Sequence, residues 1–248
     1  MKNQSPTISR PLSLSEGHLF VELPEGPFLV DTGSPFSFST PRSATVGSRR
    51  HELPAEFNVG VPVGRAEIAR FIKGTFAGLL GMDVLGQYHL AFDLPGASLH
   101  FASTSDGLPF EGGPAASRIE LRDPFGAPAI ITNFGLTIFD TGAQYGYVLD
   151  ARLCSNDEPA ADIVDYNPVL GEIHSPSWQV EVDLTNAHRF ASSTALIRER
   201  VGVFPALYAA AFSVLQVRAL IGCSWLKDWV VALNRVPGEA AMLVESAD

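Results

Sequence analysis

The sequence carries the tripeptide Asp-Thr-Gly twice, in matching surroundings, and this repeat constrains the fold more than any other feature. The segment 28–38 (FLVDTGSPFSF) aligns without gaps with the segment 137–147 (TIFDTGAQYGY). A lone Asp-Thr-Gly is weak evidence, because Asp and Gly are ordinary turn residues. Two copies that each follow an apolar strand pattern indicate an internal repeat, and such a chain is predicted to fold into two related units.

A second element repeats after each Asp-Thr-Gly. The segment 79–85 (LLGMDVL) matches 220–226 (LIGCSWL), and each is followed by another apolar, strand-like stretch and a Pro-Gly turn. The spacing from Asp31 to Gly81 is 50 residues, whereas the spacing from Asp140 to Gly222 is 82 residues. The two units are therefore predicted to be related but unequal, with the first one shortened.

The remaining patterns favour strands over helices. Short Val-, Leu- and Phe-rich segments such as 18–23 (HLFVEL) and 27–30 are separated by Gly and Pro turns, which is typical of β structure. Helix signals are few: a short turn at 83–88 and an Ala- and Leu-rich stretch at 204–217. The sequence predicts an all-β protein of two related lobes with a central cleft and a shared sheet at the base, where the two termini pair.

The boundary between the lobes is predicted from composition. Residues 1–104 are expected to form the N-terminal lobe, 105–117 a linker, and 118–248 the C-terminal lobe. The linker is rich in Ser, Gly and Pro and has no apolar period. A long surface loop within one domain has the same composition, so the linker assignment depends on the repeat.

Charge and composition narrow the classes of partner. The formal net charge is −10, which offers no basic surface for phosphates, so neither nucleic acid nor anionic membrane is expected to bind. The two cysteines, Cys154 and Cys223, lie far apart in the sequence, and neither has a His or Cys at metal-ligand spacing. Two free thiols are therefore expected rather than a disulfide, and neither a metal nor a cofactor is expected. The first 20 residues lack the apolar run of a signal peptide, which favours a cytoplasmic protein, although a removed leader would leave the same appearance.

The repeated Asp residues suggest acid/base chemistry. An Asp at the end of a buried strand, followed by Thr and Gly, presents its carboxylate on a tight loop. If the two units pack about a pseudo-two-fold axis, Asp31 and Asp140 meet at that axis. Two carboxylates at hydrogen-bond distance share a proton, so one acts as a base toward water while the other, as an acid, polarises a carbonyl. Attack of water on a carbonyl catalysed by this pair needs no nucleophilic side chain from the protein.

These motifs resemble the aspartic proteases of the pepsin and retropepsin group, and the resemblance covers nearly the whole chain. It implies a catalytic dyad of Asp31 and Asp140 and a monomer, since both carboxylates are on one chain. It also implies strands crossing behind the loops at Gly81 and Gly222. The residues implied to support the two catalytic loops are Thr32, Gly33, Ser34, Thr141, Gly142 and Ala143.

The sequence also departs from the family pattern. The resemblance suggests that Ser34 could hydrogen-bond Asp31 from outside, which Ala143 cannot do for Asp140; a simple need for small residues explains both positions equally well. No Tyr lies between Asp31 and Gly81, where a pepsin-like flap carries one. A hairpin at 57–64 or one running through 166–183 is the candidate lid, and a lid from the second lobe would change what the cleft admits.

The aromatic side chains and the histidines are the remaining candidates for binding roles. The candidate substrate-binding residues are the aromatics Phe36, Tyr145, Tyr166 and Trp178. The six histidines are dispersed, with no ligand pair at helical spacing, and are expected at the surface or on edge strands. For the aromatic residues beside the Asp-Thr-Gly loops, the alternative to a substrate-binding role is a position in the hydrophobic core.

The expected function is an aspartic endopeptidase that hydrolyses an extended peptide segment in the cleft. Because a fold does not fix a function, two alternatives remain. One is a non-proteolytic enzyme using the same pair for cyclisation, elimination or rearrangement of a small biosynthetic intermediate. The other is a peptide-binding module without turnover, which has no need for two carboxylates at the axis.

Overall fold

The computed structural model describes residues 7–58, 62–69, 72, 75–104, 112, 116–167, 170–185, 195–235 and 240–247. The strands up to residue 104 are β1 (Ile8–Ser15), β2 (His18–Leu23), β3 (Gly26–Val30), β4 (Phe38–Ser39), β5 (Ser43–Val46), β6 (Arg49–Glu52), β7 (Glu56–Asn58), β8 (Pro62–Gly64), β9 (Gly78–Leu80), β10 (Tyr88–Asp93) and β11 (Ser98–Ser103). Those after it are β12 (Ser117–Glu120), β13 (Ala129–Thr132), β14 (Gly135–Phe139), β15 (Gly146–Val148), β16 (Glu158–Asn167), β17 (Gly171–Asp183), β18 (Leu196–Val203), β19 (Ala219–Ile221), β20 (Trp229–Asn234) and β21 (Ala241–Ser246).

Helices are short. The α-helices are α1 (Arg65–Ile68), α2 (Met82–Leu85) and α3 (Ala206–Val214), and 3-10 turns cover Pro124–Gly126, Ala151–Cys154 and Ser224–Asp228. Both stretches predicted as helical therefore contain helix, although each helix is shorter than its signal. None of the helices among the described residues is long and apolar enough to cross a lipid bilayer.

The strands form two large sheets, which confirms the predicted all-β, two-lobed fold. The ten-stranded sheet has the order β12-β21-β20-β10-β11-β1-β2-β3-β9-β4. The seven-stranded sheet has the order β13-β14-β19-β15-β18-β17-β16, and two small hairpins pair β5 with β6 and β7 with β8. The predicted linker falls largely on residues outside those described, so the lobe boundaries stay a prediction.

The two halves of the chain share the base of the larger sheet. β10 from the first half pairs antiparallel with β20 from the second, in a register that places Leu90 opposite Leu233. Within this sheet β1 pairs with β11 and β2, whereas β21 pairs with β20 and β12. The expectation that the terminal strands pair with each other is therefore wrong. Each terminal strand pairs with strands of its own half, which leaves the internal strands β10 and β20 to meet at the centre.

The internal repeat is visible in the strand topology. β3 runs parallel to β9, and β9 pairs antiparallel with β4. In the second half β14 runs parallel to β19, and β19 pairs antiparallel with β15. Asp31 and Asp140 directly follow β3 and β14, so equivalent strands deliver the two carboxylates.

One large hydrophobic core spans both halves of the chain. Phe92 of the shared sheet packs edge-to-face on Phe139, the residue before Asp140, with ring centroids 5.9 Å apart, and Phe139 also contacts Trp225. All three side chains are buried. Burial of each such aromatic side chain contributes about 1.5–3 kcal/mol. The core therefore holds the second Asp-Thr-Gly loop directly against the shared sheet. Cys154 and Cys223 are buried free thiols.

Candidate active site

Each Asp-Thr-Gly loop is fixed by the strand that crosses behind it. The Asp31 amide donates to the Leu80 carbonyl at 3.0 Å, and the Asp140 amide donates to the Ile221 carbonyl at 3.0 Å. Past the loop, the Met82 amide donates to the carbonyl of Ser34 at 2.8 Å. The equivalent bond in the second half joins the Cys223 amide to the Ala143 carbonyl at 3.1 Å. The repeat is therefore kept at the level of single hydrogen bonds.

Glycine is required at the crossing points because backbone lies too close for a side chain. A Cβ atom at Gly81 would stand 2.4 Å from the Phe36 carbonyl oxygen. A Cβ atom at Gly222 would stand 2.7 Å from the Ala143 carbonyl oxygen. Backbone cannot move aside as a flexible side chain can, so the apolar-apolar-Gly elements are explained by close packing.

The two loops face each other across the axis, as the sequence predicts. A Cβ atom at Gly33 would lie 2.3 Å from the Asp140 carboxyl carbon, and one at Gly142 would lie 2.3 Å from the Asp31 carboxyl carbon. Each carboxylate therefore rests against the glycine of the opposite loop. This arrangement brings Asp31 and Asp140 together and leaves no room for a larger residue at either glycine.

The two threonines lock the loops together. The Thr32 amide donates to Thr141 Oγ1 at 3.1 Å, and the Thr141 amide donates to Thr32 Oγ1 at 3.0 Å. Thr32 Oγ1 donates to the Phe139 carbonyl at 2.7 Å, and Thr141 Oγ1 donates to the Val30 carbonyl at 2.8 Å. Both threonines are fully buried. Four reciprocal bonds therefore tie the two lobes directly beneath the carboxylates.

The carboxylates are oriented by backbone amides. Asp31 Oδ1 accepts from the amides of Gly33 at 3.0 Å and Ser34 at 2.8 Å. Asp140 Oδ1 accepts from the Gly142 amide at 2.9 Å. The hydroxyl of Ser34 donates instead to the Phe36 carbonyl at 2.9 Å. The suggestion that this hydroxyl bonds Asp31 is therefore wrong, because a local turn bond takes its proton.

The electrostatics favour one proton shared by the pair. Burial and the neighbouring Asp140 charge hold the pKa of Asp31 well above the usual range of an aspartate, despite the two amide donors. Burial also raises the pKa of Asp140, against the lowering effect of its amide donors and of a hydrogen bond with Asp31. Because two adjacent anions in a desolvated site are costly, one of the two groups keeps its proton above the ordinary pKa.

A cavity of about 620 Å³ lies over the dyad. The first lobe supplies a mainly aliphatic wall, and the second lobe supplies a mainly aromatic wall built partly by α3. The first wall consists of Leu29, Phe57, Ile68, Ile72 and Leu79. The second consists of Tyr147, Phe204, Tyr208, Phe212 and Leu220. The dyad therefore has an apolar surface on each side.

The second lobe contributes the β16–β17 hairpin, which is called the lid below. Both strands of this hairpin line the cavity, through Val164 to Asn167 on one strand and Glu172 and Ile173 on the other. Tyr147 Oη donates to Asp165 Oδ2 at 2.6 Å, and Tyr208 Oη donates to Asn167 Oδ1 at 3.0 Å. The hairpin is thus pinned to the aromatic wall beneath it, while its tip, 168–169, lies outside the described residues.

The shorter hairpin β7–β8 of the first lobe contributes less. Among its described residues only Phe57 lines the cavity, and residues 59–61 lie outside the description. Of the two hairpins considered from sequence, the one in the second lobe contributes more of the described lining residues. It lies within the longer of the two Asp-to-Gly spacings.

The four predicted substrate-binding aromatics are not grouped. Tyr166 lines the cavity. Phe36 is 46% exposed and packs on Phe57, outside the cavity wall. The Tyr145 ring is covered by the Arg200 guanidinium at 5.1 Å, and Trp178 packs against the main core. These three residues were selected by residue type and alternation, which do not identify the face on which a side chain lies.

Several lining residues were missed from sequence. His18, expected at the surface, lines the cavity with Nδ1 3.3 Å from the Gly142 carbonyl oxygen, and burial lowers its pKa. Asp165 and Tyr208 were not considered. Tyr147 is one of the aromatics beside the Asp-Thr-Gly loops, for which both a cleft and a core position were considered, and it is buried and also lines the cavity.

Comparison with known proteins supports the fold. No family model matches the chain, and no curated protein sequence matches it significantly. Among solved structures, the crystal structure of basic 7S globulin from soybean matches with a TM-score of 0.50 and 11% identity, over 97% of this chain and 95% of that one. The crystal structure of edgp matches with a TM-score of 0.50 and 11% identity, over 96% and 94% of the two chains. At such low identity the likeness shows a shared two-lobed fold and nothing about activity.

Proposed function

We propose that the chain is an aspartic endopeptidase of the pepsin and retropepsin type. The observation that carries the proposal is the meeting of Asp31 and Asp140 on two equivalent loops that are interlocked by their threonines. Such a pair, at the floor of a cavity and sharing a proton, has the acid and the base that amide hydrolysis requires.

The mechanism follows from the shared proton. A water held between the two carboxyl groups loses a proton to the ionised carboxylate and attacks the peptide carbonyl carbon. The protonated carboxyl group donates to the carbonyl oxygen, which gives a neutral tetrahedral diol. Transfer of a proton to the amide nitrogen then breaks the C–N bond. The site thereby needs no covalent intermediate on the enzyme.

The lid offers a backbone surface for an extended peptide. β16 is the edge strand of the seven-stranded sheet among the described residues, and Val164 on this strand lines the cavity and is 57% exposed. An edge strand can pair with an added strand, whose alternate side chains then point to opposite sides. A peptide on β16 would direct side chains into the two apolar walls, so we expect apolar groups at the positions flanking the cleaved bond.

A second candidate function is acid/base catalysis on a small molecule. The cavity volume of about 620 Å³ falls in the range of small-ligand sites, roughly 300–1,000 Å³. The same dyad would then move a proton in a cyclisation, elimination or rearrangement. This alternative predicts no peptide cleavage at any pH, with both carboxylates still required.

The test is cleavage of a diverse peptide library from about pH 3 to 8, with and without a statine-type transition-state analogue. Wild type should cut the library, and Asp31→Asn and Asp140→Asn should not. The control is Asp228→Asn, an exposed aspartate outside the cavity, which should cut like wild type. Cutting that survives both dyad variants would overturn the proposal, and no cutting by folded wild type would favour the small-molecule alternative.

A further inference from the structure

Asp165 is the acidic group of the cavity that the proposed mechanism leaves without a role. Its side chain lines the cavity on the lid strand β16. Oδ2 accepts from Tyr147 Oη at 2.6 Å, and Oδ1 accepts from the Tyr166 amide at 2.7 Å. A carboxylate has about four lone-pair sites, so both bonds leave acceptor capacity for a ligand. The two bonds also fix the direction of the carboxylate before any ligand arrives.

The described residues supply no Lys or Arg partner for this carboxylate. No Lys or Arg lines the described part of the cavity, and no ion pair to Asp165 occurs among the described residues. Tyr147 is a neutral donor, because burial and Asp165 both raise the pKa of its hydroxyl. Carboxylates held in partly buried sites are normally paired with a positive charge. A basic group of the ligand would supply that charge.

Asp165 lines the same cavity as Asp31 and Asp140. Across the cavity its charge acts on His18, whose Nδ1 is 3.3 Å from the carbonyl oxygen of Gly142, two residues after Asp140. Glu16 and Glu172 also line the cavity, so the local field favours a cation. Tyr208 and Phe212 provide aromatic surface beside the lid, suited to the methylene stem of a long basic side chain.

From this geometry we infer that Asp165 is a specificity-determining residue, which selects substrates with a Lys or Arg side chain beside the bond that is cleaved. The inference rests on the proposed function and names the substrate class of the same site. The basic head group would pair with the Asp165 carboxylate, while the dyad acts on the neighbouring amide. The opposite side chain of the peptide would enter the aliphatic wall of the first lobe.

The test uses matched pairs of peptides. The two peptides of a pair differ only by Lys or Met at one position flanking the cleaved bond, and each of the two positions has its own pair. Wild type is expected to show a higher kcat/KM for the Lys peptide at one of these positions. In Asp165→Asn, which keeps an acceptor for Tyr147, the ratio of Lys to Met kcat/KM should fall about tenfold. The kcat/KM for the Met peptide should fall less in this variant than the kcat/KM for the Lys peptide, because the Met side chain has no charge to pair with Asp165.

Two controls separate charge from structure. Asp162→Asn removes an exposed carboxylate from the same strand, outside the cavity wall, and should leave the ratio unchanged. Tyr147→Phe removes the hydrogen bond but keeps the Asp165 charge, so a preference for Lys should persist in it. Equal use of Lys and Met peptides by wild type, or an unchanged ratio in Asp165→Asn, would overturn the inference.

Binding provides a readout that does not depend on turnover. Non-hydrolysable analogues of the two peptides are titrated calorimetrically into wild type and Asp165→Asn. Tighter binding of the Lys analogue to wild type, reduced about tenfold in the variant, would support the inference even if no peptide were cut. Selective binding of the Lys analogue without cleavage of any peptide would refute the peptidase proposal and leave the inference standing. Equal binding of both analogues by wild type, together with cleavage of the Met peptide, would refute the inference and leave the peptidase proposal standing.

Discussion

Glu199 provides a quantitative test of the electrostatics behind the second Asp-Thr-Gly loop. It lies on β18 and is 1% exposed. Oε1 accepts from Ser224 Oγ and from the Arg200 amide, each at 2.9 Å, whereas Oε2 has no hydrogen-bond partner among the described residues. Burial raises the pKa of this carboxyl group from 4.5 to about 7. Glu199→Gln keeps the shape and removes the titration.

The sign of the effect follows from proton linkage. Between pH 4.5 and about 7 the folded protein holds a proton on Glu199 that the unfolded chain releases. The stabilisation is therefore complete below pH 4.5 and is lost as the pH rises through about 7. A shift from 4.5 to about 7 corresponds to about 3 kcal/mol of unfolding free energy.

Urea denaturation of wild type and Glu199→Gln at several pH values from about 4 to 8 measures the effect. The unfolding free energy of wild type should fall over this range by about 3 kcal/mol more than that of the variant. The raised pKa values of Asp31 and Asp140 act in the same direction in both proteins, so they cancel in the comparison. Parallel curves for the two proteins would refute a protonated, buried Glu199.

Other predictions address the two Asp-Thr-Gly loops. Thr141→Ala leaves the buried Thr32 amide and Val30 carbonyl without their partner, and it should lower the unfolding free energy measured in urea by about 2–4 kcal/mol. Thr141→Ser keeps the hydroxyl and should lose much less, so equal losses in the two variants would refute the role of these hydrogen bonds. Gly222→Ala should lower the thermal midpoint and abolish activity together, because its Cβ meets backbone 2.7 Å away; a variant as stable and active as wild type would contradict that close packing. The kcat/KM of wild type should fall as pH rises through the upper pKa of the dyad, and a rate that does not change up to pH 8 would exclude a required shared proton.

Much of the site could be predicted from the sequence because the repeat fixes local geometry. Asp31, Asp140 and the glycines behind them belong to a motif that the sequence repeats, and the same hydrogen bonds recur around it in both halves of the chain. The lid and the lining residues depend instead on which strands pair over long distances. His18 and Asp165 come from β2 and β16, which no local pattern connects, so their meeting across the cavity had no signal in the sequence.

The base of the fold shows the same distinction. The shared sheet was predicted from the related halves, but the order of its strands was not. Pairing of β10 with β20 at the centre depends on the register of Leu90 opposite Leu233, both fully buried. Two strands with interchangeable apolar patterns do not reveal from composition which neighbour each will choose.

The proton shared by Asp31 and Asp140 is the central claim, and a carboxyl ¹³C NMR titration of aspartate-labelled protein measures it most directly. The wild type should show one aspartate that stays protonated well above the ordinary pKa of about 3.9. In Asp140→Asn the pKa of Asp31 should fall, because the neighbouring charge that raises it is gone. Titration of both dyad carboxyl groups near the ordinary value, unchanged by the substitution, would contradict the account.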